Sequence, residues 1–274
     1  MRIAIKMSIL NWIRERETEG RCTFSVKEVQ SAFPSMSSGV LQNELFRLSG
    51  RREITSVHKG FYVRLPPRYK DWEIIPPYYY IDQLMAYLRK PYYISLLSAG
   101  ELHGAAHQAP QRFCVCTTLP AMNTSENKNP IIFWNYRQEI PSQLLVQRNS
   151  ETSMISFSCP ELTAVDLVQY SQYIGYLSRA ATVLAELLEC TNFAKVDKYL
   201  YDFCSTTAFQ RLGFIMDVIL DEQKQAAILY KNLKLHGKNF RWIPLSKQRN
   251  MKDSDSRNPR WKIIENTQIE IDDI

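Results

Sequence analysis

RREITSVHKGFYVRLP, residues 51–66, is the stretch whose reading decides the fold. It alternates apolar and polar residues, turns at His58-Lys59-Gly60, and alternates again, which is the pattern of a β-hairpin with glycine in the turn. Arg51, Arg52, His58, Lys59 and Arg64 load this small hairpin with basic groups that folding alone does not require. The residues upstream give it a context. In PSMSSGVLQNELFRLSG (34–50), Ser35, Ser37 and Ser38 offer an N-cap, Val40, Leu41, Leu45 and Leu48 recur at helical spacing, and Gly50 is a stop. Before it, Ser25 and Glu28 form a capping-box pair opening a helix that carries Val26, Val29 and Phe33 and ends at Pro34. Cys22-Thr23-Phe24 reads as a short extended piece, and Ile3, Met7 and Leu10, widened by Ile9, Trp12 and Ile13, read as a first helix.

Helix, short strand, helix, helix and hairpin is the order of a winged helix-turn-helix, here expected over residues 1–70. In such a unit the third helix enters the major groove and the hairpin lies beside it as a wing. Gln42, Asn43 and Arg47 have the chemistry for base edges, and Ser38 stands near the helix start. His58 and Lys59 at the tip, with Arg51, Arg52 and Arg64 at the base, are expected to face phosphates. Phe46 is expected to pack under the wing, with a thymine methyl as its other partner.

The charge distribution agrees. Residues 1–70 hold thirteen Lys and Arg against six acids, residues 71–223 ten against sixteen, and residues 224–262 eleven against two. An acidic centre between two basic regions points to a polyanionic partner, and nucleic acid is the commonest. MRIAIKMSILNWIRERE lacks the cleavage pattern of a signal peptide, and no apolar run approaches the ~20 residues that span a bilayer, so a soluble, cytoplasmic protein with no membrane partner is expected. The six cysteines form no CxxC pair and are read as reduced, mostly buried thiols, Cys114 and Cys116 on one face of a strand.

PPRYKDWEIIPPYYY (66–80) breaks both periodicities and is a candidate boundary, its aromatics docking on the second domain. Residues 71–274 then read as a larger mixed α/β domain, giving an α+β or α/β chain overall. YIDQLMAYLRK is a helix, and YYISLLSAGELHG begins extended and turns helical near Leu96. FCVCTT, IIFWNY and MISFS are strands. PELTAVDLVQYSQYIGY, RAATVLAELLECTN, KVDKYLYDFCS, AFQRLGFIMDVIL and EQKQAAILYKNLKLHG are helices. RWIPLS and WKIIEN in the basic C-terminal extension look extended.

Nothing here assembles a catalytic set. A metal-dependent nuclease wants acids on neighbouring strands with Glu-x-Lys on one of them; the Glu-x-Lys at Glu222-Gln223-Lys224 falls in a helical segment, and IIFWNY carries no acid. His103 and His107 stand at i, i+4 but lack the glutamate of a zinc hydrolase. Ser95 and Ser98 have no base and read as helix caps, and Glu161 and Asp166 as acids near a helix N-terminus. There is neither a Walker loop nor a GxGxxG run, so no catalytic residue, metal or cofactor is expected.

KGFYVRLP after that N-terminal order, PYYISLLSAGELHGAAHQAPQRFCVCT (91–117), CPELTAVDLVQY (159–170) and FQRLGF (209–214) together resemble the AbiEi family of bacterial antitoxins. The block 92–117 is the most specific part, and the long basic tail after Lys224 departs from the pattern. The resemblance implies an antitoxin paired in a two-gene operon with a nucleotidyltransferase-type toxin, linked to abortive phage infection. It implies a winged helix that binds inverted repeats in its own promoter as double-stranded DNA and represses the operon. It also implies a C-terminal domain that neutralises the toxin without a stable complex and assists cooperative DNA binding. One winged helix meets one half-site, so inverted repeats require two copies, which self-associate on the DNA if binding is cooperative. A nuclease-fold enzyme and a winged-helix adaptor that binds proteins are the alternatives.

Overall fold

The sequence folds, in the computed structural model, around three apolar clusters; residues 8–70, 75–105, 110–122 and 131–271 are described. The N-terminal part begins with α1 (Ile9–Thr18), β1 (Thr23–Ser25) and α2 (Val26–Ala32). It continues with α3 (Ser38–Gly50) and a hairpin of β2 (Ile54–His58) and β3 (Phe61–Arg64). Ile3 and Met7 lie outside the described residues. Ser25 and Glu28 make the reciprocal capping box read from the sequence. Ser37, one of three candidate serines, caps α3. Ile9, Ile13, Phe24, Val29, Leu41, Leu45, Leu48 and Ile54 close the first cluster, so α3 presents its leucine stripe inward. Val40 does not join it: it lies a quarter-turn round the helix and is 56% exposed, contrary to expectation. The strands run β1-β3-β2, with a bulge near Val57 and Gly60 at φ 74° closing the turn.

A single turn, α4 (Pro67–Lys70), and α5 (Ile81–Leu88) lead into a mixed five-stranded sheet. It is built from β4 (Tyr92–Ile94), β5 (Arg112–Thr118), β6 (Ile131–Arg137), β7 (Leu145–Asn149) and β8 (Met154–Ser158), with α6 (Leu96–Leu102) between its first two strands. The order is β6-β5-β4-β8-β7, with β5 and β6 parallel, β4 and β8 parallel, and the other pairs antiparallel. Strand alternation divides the side chains cleanly. Tyr92, Ile94, Phe113, Val115, Ile155 and Phe157 face α5, and the same cluster takes in Phe61, Val63 and Leu65 from the hairpin end. The linker aromatics dock as expected: Tyr79 and Tyr80 are buried and Tyr78 meets Phe113 edge-on, ring centres 4.8 Å apart.

Tyr93, Cys114 and Cys116 face the other way, into the largest cluster. That side is covered by α7 (Pro160–Gln169), α8 (Tyr176–Leu187), α9 (Lys198–Phe203), α10 (Thr206–Phe214) and α11 (Gln223–Leu235). Pro160 opens α7, and every residue from Leu162 to Val168 is buried, as befits a helix apolar nearly all round. A π-turn over Ile215–Ile219 ends α10.

The basic tail is packed rather than free. β9 (Ile243–Pro244), β10 (Arg257–Asn258) and β11 (Ile263–Ile264) form a small sheet in the order β10-β11-β9. Trp261 is wholly buried, stacks on Phe240, and donates its Nε1–H to Asp217 at 2.9 Å. Its ring fills the space where a Cβ on Gly213 would sit, with ring atoms 2.1–2.5 Å from that position. Glycine is required at 213 for this close approach. Among the described residues no helix is long and apolar enough to cross a membrane.

Candidate nucleic-acid interface

With Leu41, Leu45 and Leu48 inward, helical geometry turns Asn43 and its neighbours outward. Gln42, Asn43, Phe46, Arg47 and, one turn on, Arg51 share that outer surface, and all are exposed. Gly39 and Gly50 lie on the same side with open space beside them, so the backbone can approach a ligand closely there. Arg47 is paired with Glu44 at 3.2 Å, but its side chain remains 63% exposed, which leaves the pair weak and easily exchanged. Phe46 is 79% exposed and does not pack under the hairpin as expected, since it stands on the face of α3 away from the leucine stripe. Ser38 is exposed at the first residue of α3, and the cap bond belongs to Ser37.

The hairpin residues divide. Arg51 and Arg52 are exposed where α3 gives way to β2, Arg52 at φ 56°. Lys59 is exposed at the tip, about 15 Å away by strand rise. His58 is half-covered, its Nδ1 3.2 Å from the Lys59 carbonyl and its ring edge-on to Tyr87 of α5. The Tyr87 hydroxyl donates to the same carbonyl at 3.4 Å, so the tip rests on α5.

Arg64 is a correction. Its side chain is 7% exposed, donating from Nε to Glu17 at 3.3 Å and from Nη1 to the Glu53 carboxylate and, at 2.6 Å, to the Glu53 carbonyl. Lys70 adds a 2.8 Å bond to Glu53. Burial alone would raise the Glu53 carboxyl, but the Lys70 bond and the two neighbouring cations outweigh it and hold the carboxyl below its usual range. Arg64 thus ties α1 and the residue leading into β2 to β3 and has no charge to spare for a phosphate. Among the described residues of the N-terminal part, Arg14, Lys27, Arg51 and Lys59 are exposed and make no ion pair. The local basic surplus therefore reaches solvent.

A second polar constellation is internal. Asp166 is fully buried in the middle of α7, not in its first turn where the sequence placed it. It pairs with Arg137 at the end of β6 and accepts from the Tyr93 hydroxyl at 2.9 Å, which accepts in turn from Arg137 Nε at 2.9 Å. Phe203 and Tyr170 flank the guanidinium, 4.6 and 5.4 Å from ring centre. Burial pushes the Asp166 carboxyl up and Arg137 draws it back. A satisfied, enclosed network of this kind holds elements in register and offers no nucleophile to a substrate. Burial also raises Cys114 to about 11 and Cys116 to about 12, so neither thiol is activated.

The other candidates disperse. His103 Nε2 lies 2.8 Å from the Ser158 carbonyl; His107 lies outside the described residues. Ser98 accepts from the Cys114 amide at 3.0 Å, while Ser95 stands before α6 without making a cap bond. Glu222 precedes α11 and Lys224 sits in its first turn, remote in kind from a metal-binding strand pair. Among the described residues no group of three His, Cys, Asp or Glu is placed to hold a metal.

The architecture, a small helical and hairpin unit on one face of a mixed sheet whose other face carries a helical layer, is shared with a solved structure. The RV2827C protein from Mycobacterium tuberculosis superposes with a TM-score of 0.66 over 92% of this chain and 89% of that one, at 13% identity. That likeness establishes a common fold. No protein of curated function matches the chain in sequence. Residues 93–218, from β4 to the end of the π-turn region, match the family model described as the AbiEi antitoxin C-terminal domain. Over those residues the chain is similar to an AbiEi antitoxin C-terminal domain, as its resemblance in sequence led one to expect. Both the N-terminal unit and the basic tail lie outside the matched residues.

Proposed function

We propose that this antitoxin binds operator DNA through a winged helix-turn-helix spanning residues 1–70 and represses its own operon. Residues 71–274 would neutralise a nucleotidyltransferase-type toxin. The observation that carries the DNA-binding reading is the outer face of α3, where Gln42, Asn43 and Arg47 stand together free of packing while the leucine stripe holds the helix from behind. Asn and Gln pair with adenine and Arg with guanine in the major groove, and Phe46 is free to meet a thymine methyl. Arg51, Arg52 and Lys59 then meet phosphates, with His58 as a partly covered neighbour. One α3 per chain reads one half-site, so an inverted repeat takes two copies with half-sites about 34 Å apart or a multiple of that.

Truncation is a poor test, because Phe61, Val63 and Leu65 share a cluster with Ile94, Val115 and Phe157. A double variant, Asn43→Ala with Arg47→Ala, leaves both cores intact. It is expected to release a reporter driven by the native promoter while still rescuing growth against the co-expressed toxin. Full repression by the double variant, or loss of rescue along with repression, would contradict the division of labour. A second reading has its own observation: Phe46 at 79% exposure and Val40 at 56% also suit an apolar protein partner. Salt separates the two, since phosphate contacts weaken steeply with log salt and an apolar contact does not.

A further inference from the structure

The tail and the helical layer enclose a cavity of 320 Å³ that neither the DNA-binding face nor the sheet uses. Its walls are the end of α7 and the turn after it, the first residues of α8, Arg211 of α10, and the chain from Leu245 to Arg249 following β9. Three cations line it, Arg211, Lys247 and Arg249, and none of its lining residues is an acid. The remaining wall is rich in hydroxyls and amides, among them Gln172 and Ser246.

Arg211 is the decisive residue. It is 6% exposed, and its bonds go to main-chain carbonyls: Leu245 at 2.8 Å, Pro244 at 2.7 Å and, weakly, Thr207 at 3.4 Å. No carboxylate among the described residues pairs with it. A buried guanidinium without a counter-charge is costly and rare unless something anionic completes it. Its burial pulls its pKa down to about 10, and Lys247 is lowered by its own burial and then by the positive charge of Arg211. Both cations are therefore short of negative charge.

Two further features converge on the same cavity. The N-terminus of the twelve-residue α8 faces it through Gly175, Tyr176, Leu177 and Ser178, and no side chain caps that helix. Unsatisfied N–H groups and the positive end of the helix dipole favour an anion there. Gly175 and Tyr176 also adopt left-handed backbone, φ 100° and 67°, unusual for a bulky residue and a recurrent feature of ligand sites. That backbone leaves the Tyr176 ring at the rim, 56% exposed.

We propose that this cavity binds a nucleoside monophosphate, its phosphate held by Arg211, Lys247, Arg249 and the N-terminus of α8, and its base stacked on Tyr176. The size favours a ligand of this class over a larger cofactor, since 320 Å³ is near the lower end of small-molecule sites. The hydroxyl and amide wall suits a ribose. The site is separate from the outer face of α3 and stands whether or not that face binds DNA.

The test uses the full chain at low salt, with AMP, GMP, CMP and UMP titrated by calorimetry beside the matching nucleosides and inorganic phosphate. At least one mononucleotide is expected to bind at least ten-fold more tightly than either its nucleoside or inorganic phosphate. Lys247→Glu and Tyr176→Ala should each weaken it ten-fold or more, with the unfolding temperature of the ligand-free protein unchanged. Should Lys247→Glu lower that temperature, Arg249→Ala carries the same expectation. Three results would overturn the proposal: no mononucleotide binding, binding of inorganic phosphate as tight as that of any nucleotide, or nucleotide binding indifferent to these variants.

Discussion

Replacing Arg64 by alanine separates two accounts of the same basic residue. If Arg64 faced phosphate, its loss would leave the fold alone and reduce the slope of log K against log salt by ~0.9. The structure sets a different expectation. Removing a partner from a buried ion pair costs about 3–5 kcal/mol, because the other charge is left unpaired. Here Glu17 is 31% exposed and water screens it, and Glu53 keeps Lys70, so the loss is nearer about 2–3 kcal/mol. For a chain of this size that corresponds to a fall of about 4–12 °C in unfolding temperature. Thermal unfolding followed by circular dichroism measures it, with DNA titration at three salt concentrations alongside. An unfolding temperature within about 1 °C of the parent's, together with a shallower salt slope, would refute the structural role.

Two other perturbations test the packing. Gly213→Ala drives a methyl into the Trp261 ring, and overpacking of this kind costs about 1–3 kcal/mol, so limited proteolysis should cut the stretch between Ser246 and Ser256 faster than in the parent; an unchanged rate would mean the tail is not held by Trp261. Glu53 gives a pH signature. Its carboxyl is held low in the folded protein, so its contribution is present above the unfolded value of about 4.3 and fades as pH falls through the folded one. The stability gap between the parent and Glu53→Gln, from urea unfolding, should therefore shrink between about pH 6 and pH 3, and a gap that widens would reverse the sign of the argument.

How much of the fold was legible in the sequence depends on how local each signal is. The capping box of Ser25 and Glu28, the glycine turn at Gly60, the leucine stripe of α3 and the one-sidedness of Cys114 and Cys116 rest on near neighbours, and each stands in the structure. The fate of Arg64 was not legible, because its partners Glu17 and Glu53 come from 47 and 11 residues away. The same holds for Asp166, whose Tyr93 and Arg137 partners lie 73 and 29 residues off. β7 escaped because LVQRN is an edge strand with an exposed, polar run, and period-two alternation is faint there. The tail's docking on Gly213 could have been suspected only from a lone glycine inside an apolar helix, where glycine otherwise costs stability.

The central claim is that the outward face of α3 reads base sequence. Gel-shift titration of the parent, Asn43→Ala and Arg47→Ala against promoter DNA and random DNA tests it most directly. The account predicts that each substitution lowers the preference for promoter over random DNA by ~1–3 kcal/mol, while binding to random DNA changes little for Asn43→Ala. A preference that both substitutions leave untouched, or binding by the parent that does not weaken with salt, would contradict it.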